Sequence, residues 1–162
     1  MPTSRNLILA FALLAALPVQ ARKAEPLPDF TVFAPDGKAT KSADLKMPAN
    51  WVLVYIDSRS GRSTAVLDDL NDDKLKSLNN KLMIIVGGAT VAQAKTALGR
   101  FANVKTVSWY ADPKLDGLRA MKIPGVPASL GMSDNTVQWQ FVGTHPKPGH
   151  LKSMLKTWRD KK

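Results

Sequence analysis

Trp51-Val52-Leu53-Val54-Tyr55-Ile56-Asp57-Ser58-Arg59-Ser60-Gly61-Arg62-Ser63 is the stretch around which the chain is organised. Its first six residues are a continuous apolar, β-branched and aromatic run, the pattern of a fully buried strand. A polar turn follows at Asp57–Arg59, and Ser60-Gly61-Arg62-Ser63 opens an amphipathic helix. In an α/β protein a strand-to-helix turn favours chemistry, because helix N–H groups and the helix dipole converge there. This turn carries serines and arginines, but no thiol, histidine or glycine-rich phosphate loop.

Downstream, the spacing predicts a helix over 61–80, with Leu67, Leu70, Leu75 and Leu78 on one face and Asp68, Asp69, Asp72, Asp73, Lys74 and Lys76 on the other. Leu82–Val86 reads as a second buried strand closed by Gly87-Gly88. Thr90 is placed to cap a helix whose Ala94, Ala97, Leu98 and Phe101 share a face, with Gly99 a local weakness. Lys105–Tyr110 is a third strand, and Asp112-Pro113 starts a short helix carrying Leu115, Leu118 and Met121. Pro124-Gly125-Val126-Pro127 breaks it. A hairpin follows, Ala128–Met132 and Thr136–Val142 about the turn Ser133-Asp134-Asn135. Leu151, Met154, Leu155 and Trp158 then define the core face of a last helix.

Upstream, Asp29–Phe33 predicts a short strand, Pro35-Asp36-Gly37-Lys38 a turn, and Ser42–Leu45 one helical turn. The resulting order is β, β-α-β-α-β, short helix, β-β-α. It requires right-handed crossovers, a parallel sheet centre and an antiparallel hairpin at its edge.

Residues 1–21 read as a signal peptide: Arg5, an apolar run from Leu7 to Leu17, and a small-residue site at Val19-Gln20-Ala21. Cleavage is expected after Ala21, retention as an anchor being the alternative, and the apolar run is short for a membrane span, which takes about 20 apolar residues. Residues 22–28 read as a flexible lead-in and 29–160 as a single domain, exported to the periplasm or secreted. The chain has 162 residues, a net charge of +10 and no cysteine. The charge favours acidic partners. The basic residues are scattered and lack the aromatic-basic motifs of nucleic-acid modules, which disfavours nucleic acid. Without cysteine there is no disulfide staple, no lipid anchor carried on cysteine, and no thiol chemistry.

The element order resembles the thioredoxin fold, an α/β three-layer architecture with a central mixed sheet and helices on both faces. Val52-Leu53-Val54-Tyr55-Ile56 leading to Ser60-Gly61-Arg62-Ser63 is similar to the family's strand and Cys-Gly-Pro-Cys turn, with serine at both cysteine positions. Ile123-Pro124-Gly125-Val126-Pro127-Ala128-Ser129 is similar to its Gly-Val-Pro-Thr segment, whose proline takes a cis peptide beside the active site. Leu27-Pro28-Asp29-Phe30, Asp36-Gly37-Lys38 and Asp112-Pro113 resemble the exported disulfide reductases and thiol peroxidases of the superfamily. The resemblance implies that Ser60, Gly61, Arg62, Ser63, Val126 and Pro127 form a degenerate active-site face that binds a protein or peptide, the backbone before Pro127 pairing with an extended chain.

Serine cannot replace the thiolate that this chemistry needs. The residues therefore point to a non-catalytic binding protein of the bacterial envelope, or alternatively to a non-catalytic subunit of a redox enzyme system. Serine hydrolysis is disfavoured, since no base is placed for Ser60 or Ser63. On the bland reading, Ser60 caps the helix and Ser63 is solvated. Arg59 and Arg62, set against the positive end of a helix dipole, suggest a weak anion-binding patch. His145 and His150 lack a third ligand, and Gly87-Gly88 lacks a P-loop's lysine, so no metal or cofactor is expected.

Overall fold

The computed structural model describes residues 24–47, 49–70, 81–144 and 149–160. Its strands are β1 (Glu25–Pro26), β2 (Thr31–Phe33), β3 (Ala39–Lys41), β4 (Asn50–Asp57), β5 (Leu82–Gly87), β6 (Val107–Asp112), β7 (Ala128–Ser133) and β8 (Thr136–Val142). The α-helices are α1 (Gly61–Asp69), α2 (Val91–Leu98), α3 (Asp116–Ala120) and α4 (His150–Asp160), with 3-10 turns at Ser42–Asp44 and Gly99–Asn103. The signal-peptide segment, Leu75, Leu78 and His145 lie outside the described residues, as does the side chain of His150.

All eight strands form one mixed sheet in the order β1-β8-β7-β4-β5-β6-β2-β3. Strands β4, β5 and β6 are parallel neighbours, in register from Leu82 beside Val52 and Val107 onward. The β7–β8 hairpin lies antiparallel against β4, with Tyr55 opposite Ala128. The hairpin was expected at the edge, but β1 covers part of it: Glu25 and Pro26 pair with Val137 and Thr136. The Leu27 N–H donates to the Asn135 carbonyl at 2.9 Å, and Leu27 is buried. The lead-in 22–28 is therefore not loose throughout, since two ladder pairs and an apolar anchor hold 25–27. The β3 strand was not anticipated either. It follows from the Asp36-Gly37 turn, where the Lys38 N–H donates to Asp36 Oδ1 at 2.9 Å and Thr31–Phe33 pairs with Ala39–Lys41.

The alternation along β4 divides the core into two layers. Val52, Val54 and Ile56 pack with Val66, Leu67 and Leu70 from α1 and its end, with Ala94 and Leu98 of α2, and with Leu155 of α4. Trp51, Leu53 and Tyr55 face the other way, toward Leu27, Phe30, Leu45, Met121 and Ile123. Because β4, β5 and β6 are laid down in one direction, the helices joining them share a face. The return to β7 carries α3 across the opposite one.

Helix α2 begins at the expected cap. The Gln93 N–H donates to Thr90 Oγ1 at 3.4 Å, and the Thr90 N–H donates back to Gln93 Oε1 at 2.9 Å. It stops at Leu98 because Gly99 adopts φ 53°, and Phe101 reaches the core from a 3-10 turn instead. The third central strand runs to Asp112, and α3 starts only at Asp116, later than the Asp-Pro signal suggests.

Candidate functional site

The carboxyl ends of β4, β5 and β6 lie side by side, Gly87 pairing with both Asp57 and Asp112. Tyr55, near the carboxyl end of β4, pairs with Ala128, the first residue of β7 and the one that follows Pro127. The turn at 57–63 and the Val126-Pro127 dipeptide, far apart in sequence, therefore meet at one end of the sheet.

The turn is tightly wound. The Ser60 N–H donates to the Asp57 carbonyl at 3.1 Å, and the Ser63 N–H to the Ser60 carbonyl at 2.9 Å. Ser60 occupies the N-cap position of α1 by its extended backbone, but its hydroxyl makes no capping bond. The hydroxyl that works here is that of Ser63, which is 2% exposed and accepts from the Asp57 N–H at 3.1 Å. This corrects the reading of Ser63 as a solvated residue. One turn into the helix its side chain points back at the strand end, leaving Ser60, Gly61 and Arg62 as the accessible part of the motif.

The two arginines differ. Arg59 lies against Asp57: its backbone N–H donates to Asp57 Oδ1 at 2.8 Å, and its Nε and Nη2 donate to the two carboxylate oxygens at 3.3 Å. Burial pushes the Asp57 carboxyl up, but the hydrogen bonds and charge of Arg59 outweigh it and hold the pKa below its ordinary value. Of the two residues of the expected anion patch, Arg59 is thus ion-paired with Asp57 while its side chain stays 73% exposed. Arg62 is exposed and has no acidic partner among the described residues, and the first turn of α1 contains no acid. Beside the turn, Ser58, Arg59, Gly88, Ala92, Gln93, Thr96 and Ala97 line a groove of about 430 Å³.

The Val126–Pro127 peptide is cis. Pro127 is buried, and its carbonyl accepts from the Gly143 N–H at 2.7 Å. Val126 is half-buried, and its backbone N–H and carbonyl make no hydrogen bond among the described residues.

Beneath this surface lies a buried group that sequence reasoning missed. Asp112, wholly buried, accepts from the Tyr55 hydroxyl at 2.7 Å and from the Asp116 and Gly117 N–H groups at 2.9 and 2.8 Å. Burial, then the hydrogen bond and charge of Asp112, push the Tyr55 phenol far above its ordinary pKa. Gly87 makes room for the tyrosine, since a Cβ there would lie 2.6 Å from its ring and hydroxyl. The available signal was an aspartate ending each of two apolar strands, at Asp57 and Asp112.

Comparison with solved structures identifies the architecture. A Chlorobium tepidum protein assigned as the thiol:disulfide interchange protein DsbE superposes with a TM-score of 0.64 at 20% identity, over 86% of this chain and 96% of its own. The fold is thioredoxin-like. The same fold is shared with a secreted Mycobacterium tuberculosis disulfide oxidoreductase homologous to E. coli DsbE (TM-score 0.59, 16% identity, 79% of this chain and 95% of the other). It is shared too with Arabidopsis thaliana ScoI, solved with copper bound (0.61, 13%, 81% and 96%). No family model and no curated protein matches the chain. Within the thioredoxin-like fold, 60–63 is the turn that opens the helix after the central strand, and it holds serine at both ends. Disulfide interchange proceeds by thiolate attack, and the chain has no cysteine to supply one. Among the described residues no group of three or more His, Cys, Asp or Glu is placed to hold a metal, and no helix is long and apolar enough to cross a membrane.

Proposed function

We propose that the chain is a non-catalytic, cysteine-free thioredoxin-like protein of the bacterial envelope that binds an extended protein segment at its degenerate active-site face. The observation that carries this reading is the Val126 backbone, which has no hydrogen-bond partner among the described residues, beside buried Pro127 and at the same sheet end as Ser60, Gly61 and Arg62. A free N–H and carbonyl on one residue are what strand addition requires, and no thiol is needed for it. Arg62 supplies an exposed cation at the rim, suited to a carboxylate on the bound segment. The signal-like residues 1–21, with cleavage after Ala21, support export, and the remainder is read as one domain. The second reading, a non-catalytic subunit of a redox enzyme system, rests on the disulfide oxidoreductases that share the fold.

The test exploits the absent thiol. Ser60→Cys, expressed in the exporting host, is expected to form mixed disulfides with envelope proteins on non-reducing gels, while exposed Ser153→Cys on α4 does not. Adducts equal in both variants, or none in either, count against this face as the docking surface. Capture of a thiol oxidoreductase as the principal adduct favours the redox-subunit reading.

A further inference from the structure

At the opposite end of the sheet, strand β6 presents an open edge. The Gly88 N–H donates to the Asp112 carbonyl at 2.9 Å, which turns that carbonyl toward β5. Backbone groups of successive residues face opposite sides, so Ser108 and Tyr110 also face β5, whereas Val107, Trp109 and Ala111 face away from it. Ala111 is covered by Phe33 of β2, the one pair that joins those strands. The residue that would next oppose Trp109 is Pro35, which has no N–H to donate, and the chain turns away there as the Ala34 N–H bonds the Lys38 carbonyl. The Val107 N–H is taken by the Val104 carbonyl at 3.0 Å. The Trp109 N–H, the Trp109 carbonyl and the Val107 carbonyl have no partner among the described residues. They border a groove of about 370 Å³ lined by Pro35, Val104, Lys105, Ser108, Trp109 and Tyr110 among others.

We propose that this edge accepts an extended, acidic segment of another polypeptide, added as a strand beside Val107–Trp109. Strand addition draws its affinity from main-chain bonds of this kind and its selectivity from flanking side chains. Among the described residues Lys105 is the one charged residue lining the groove, and no carboxylate lines it. The whole chain carries a net charge of +10. A second copy would bring like charge to the edge, and a lysine at a strand edge works against such self-pairing. A segment with glutamate or aspartate at alternate positions would instead place carboxylates toward Lys105 while its backbone satisfies Trp109. The site lies at the amino end of β6 and is separate from the face around Val126.

The experiment is amide hydrogen exchange by NMR on the purified chain. The probe is a peptide of about eight residues alternating glutamate and valine, long enough for one strand. In the free chain the Trp109 amide should exchange at least about tenfold faster than that of Tyr110, which bonds β5. The peptide should slow Trp109 exchange and shift resonances from 104 to 110, and Lys105→Glu should weaken binding about tenfold. The lysine–valine counterpart, and the glutamate–valine peptide N-methylated at alternate amides, should not bind. A Trp109 amide already protected in the free chain overturns the proposal. So does the absence of glutamate–valine binding at about 1 mM, or binding that survives N-methylation. Protection that grows with protein concentration alone overturns it in favour of a second copy.

Discussion

Tyr55 and Asp112, 57 residues apart in the chain, meet in the core through a 2.7 Å hydrogen bond from phenol to carboxylate. The carboxylate is fully enclosed and is held by this bond and two N–H groups at the start of α3. It ties β4, β6 and α3 together directly beneath the proposed binding face. Tyr55→Phe keeps the ring and removes one of three donors, so unfolding by urea should show a loss of about 1–3 kcal/mol. Asp112→Ala strands all three donors and should cost about 3 kcal/mol or more. In a double-mutant cycle the two effects should couple. Strict additivity would show that the bond contributes nothing of its own.

The same pair sets an alkaline limit. A phenol whose folded pKa lies above its unfolded value stabilises the protein fully below the unfolded pKa, near 10. Above that pH the unfolded tyrosine ionises while the folded one stays protonated, and stability falls as pH rises. Denaturant midpoints measured across this range should decline steeply in the parent chain and less so in Tyr55→Phe. Tyr110, raised by burial, keeps a residual slope in the variant. Equal slopes in both proteins would remove Tyr55 as the cause.

The two serines of the Ser60–Ser63 turn should separate cleanly in thermal melts. Ser63→Ala removes the acceptor of the Asp57 N–H in a buried setting and should cost about 1–2 kcal/mol. Ser60→Ala removes a hydroxyl that makes no capping bond and should stay within about 0.5 kcal/mol. The reverse order would mean that Ser60 is the true cap.

Asp57 and Arg59 yield an acid-side prediction. The folded carboxyl titrates below its ordinary value of 3.8 because Arg59 outweighs the effect of burial. Its stabilising contribution is present above the unfolded pKa and is lost as pH falls through the folded one. Arg59→Gln should move the Asp57 titration upward by NMR. An unmoved titration would assign the shift to the helix end rather than to Arg59.

Gly131 lies against the Trp139 indole so closely that a Cβ there would overlap the ring. Trp139 in turn meets Trp158 edge-on, with centroids 5.8 Å apart and planes at 87°. Gly131→Ala should therefore cost about 1–3 kcal/mol by overpacking and alter the near-ultraviolet circular dichroism of the tryptophan pair. An unchanged spectrum with unchanged stability would contradict this packing.

Local chemistry explains which parts of the fold were legible. The apolar run of β4, the Thr90 cap with Gln93 and the Asp36-Gly37 turn are written in contiguous residues, since each depends on bonds spanning a few positions. The resemblance carried by Ser60–Ser63 and Val126-Pro127 is legible for the same reason, because both are short contiguous strings. Glu25–Pro26 carries no strand signal in the sequence because a two-residue strand has no periodicity, and only its distant partners Thr136 and Val137 make it one.

By itself the sequence determined the mixed α/β order, the net positive charge and the absence of any thiolate chemistry, because these follow from residue identity and short-range periodicity. Only the tertiary structure decided which polar groups of the site remain available. It turned Ser63 inward, set Asp57 against Arg59, left the Val126 backbone without a partner among the described residues and sealed Asp112 in the core. Hydrogen-bond satisfaction is a global property, since each donor's partner depends on which distant strand arrives beside it.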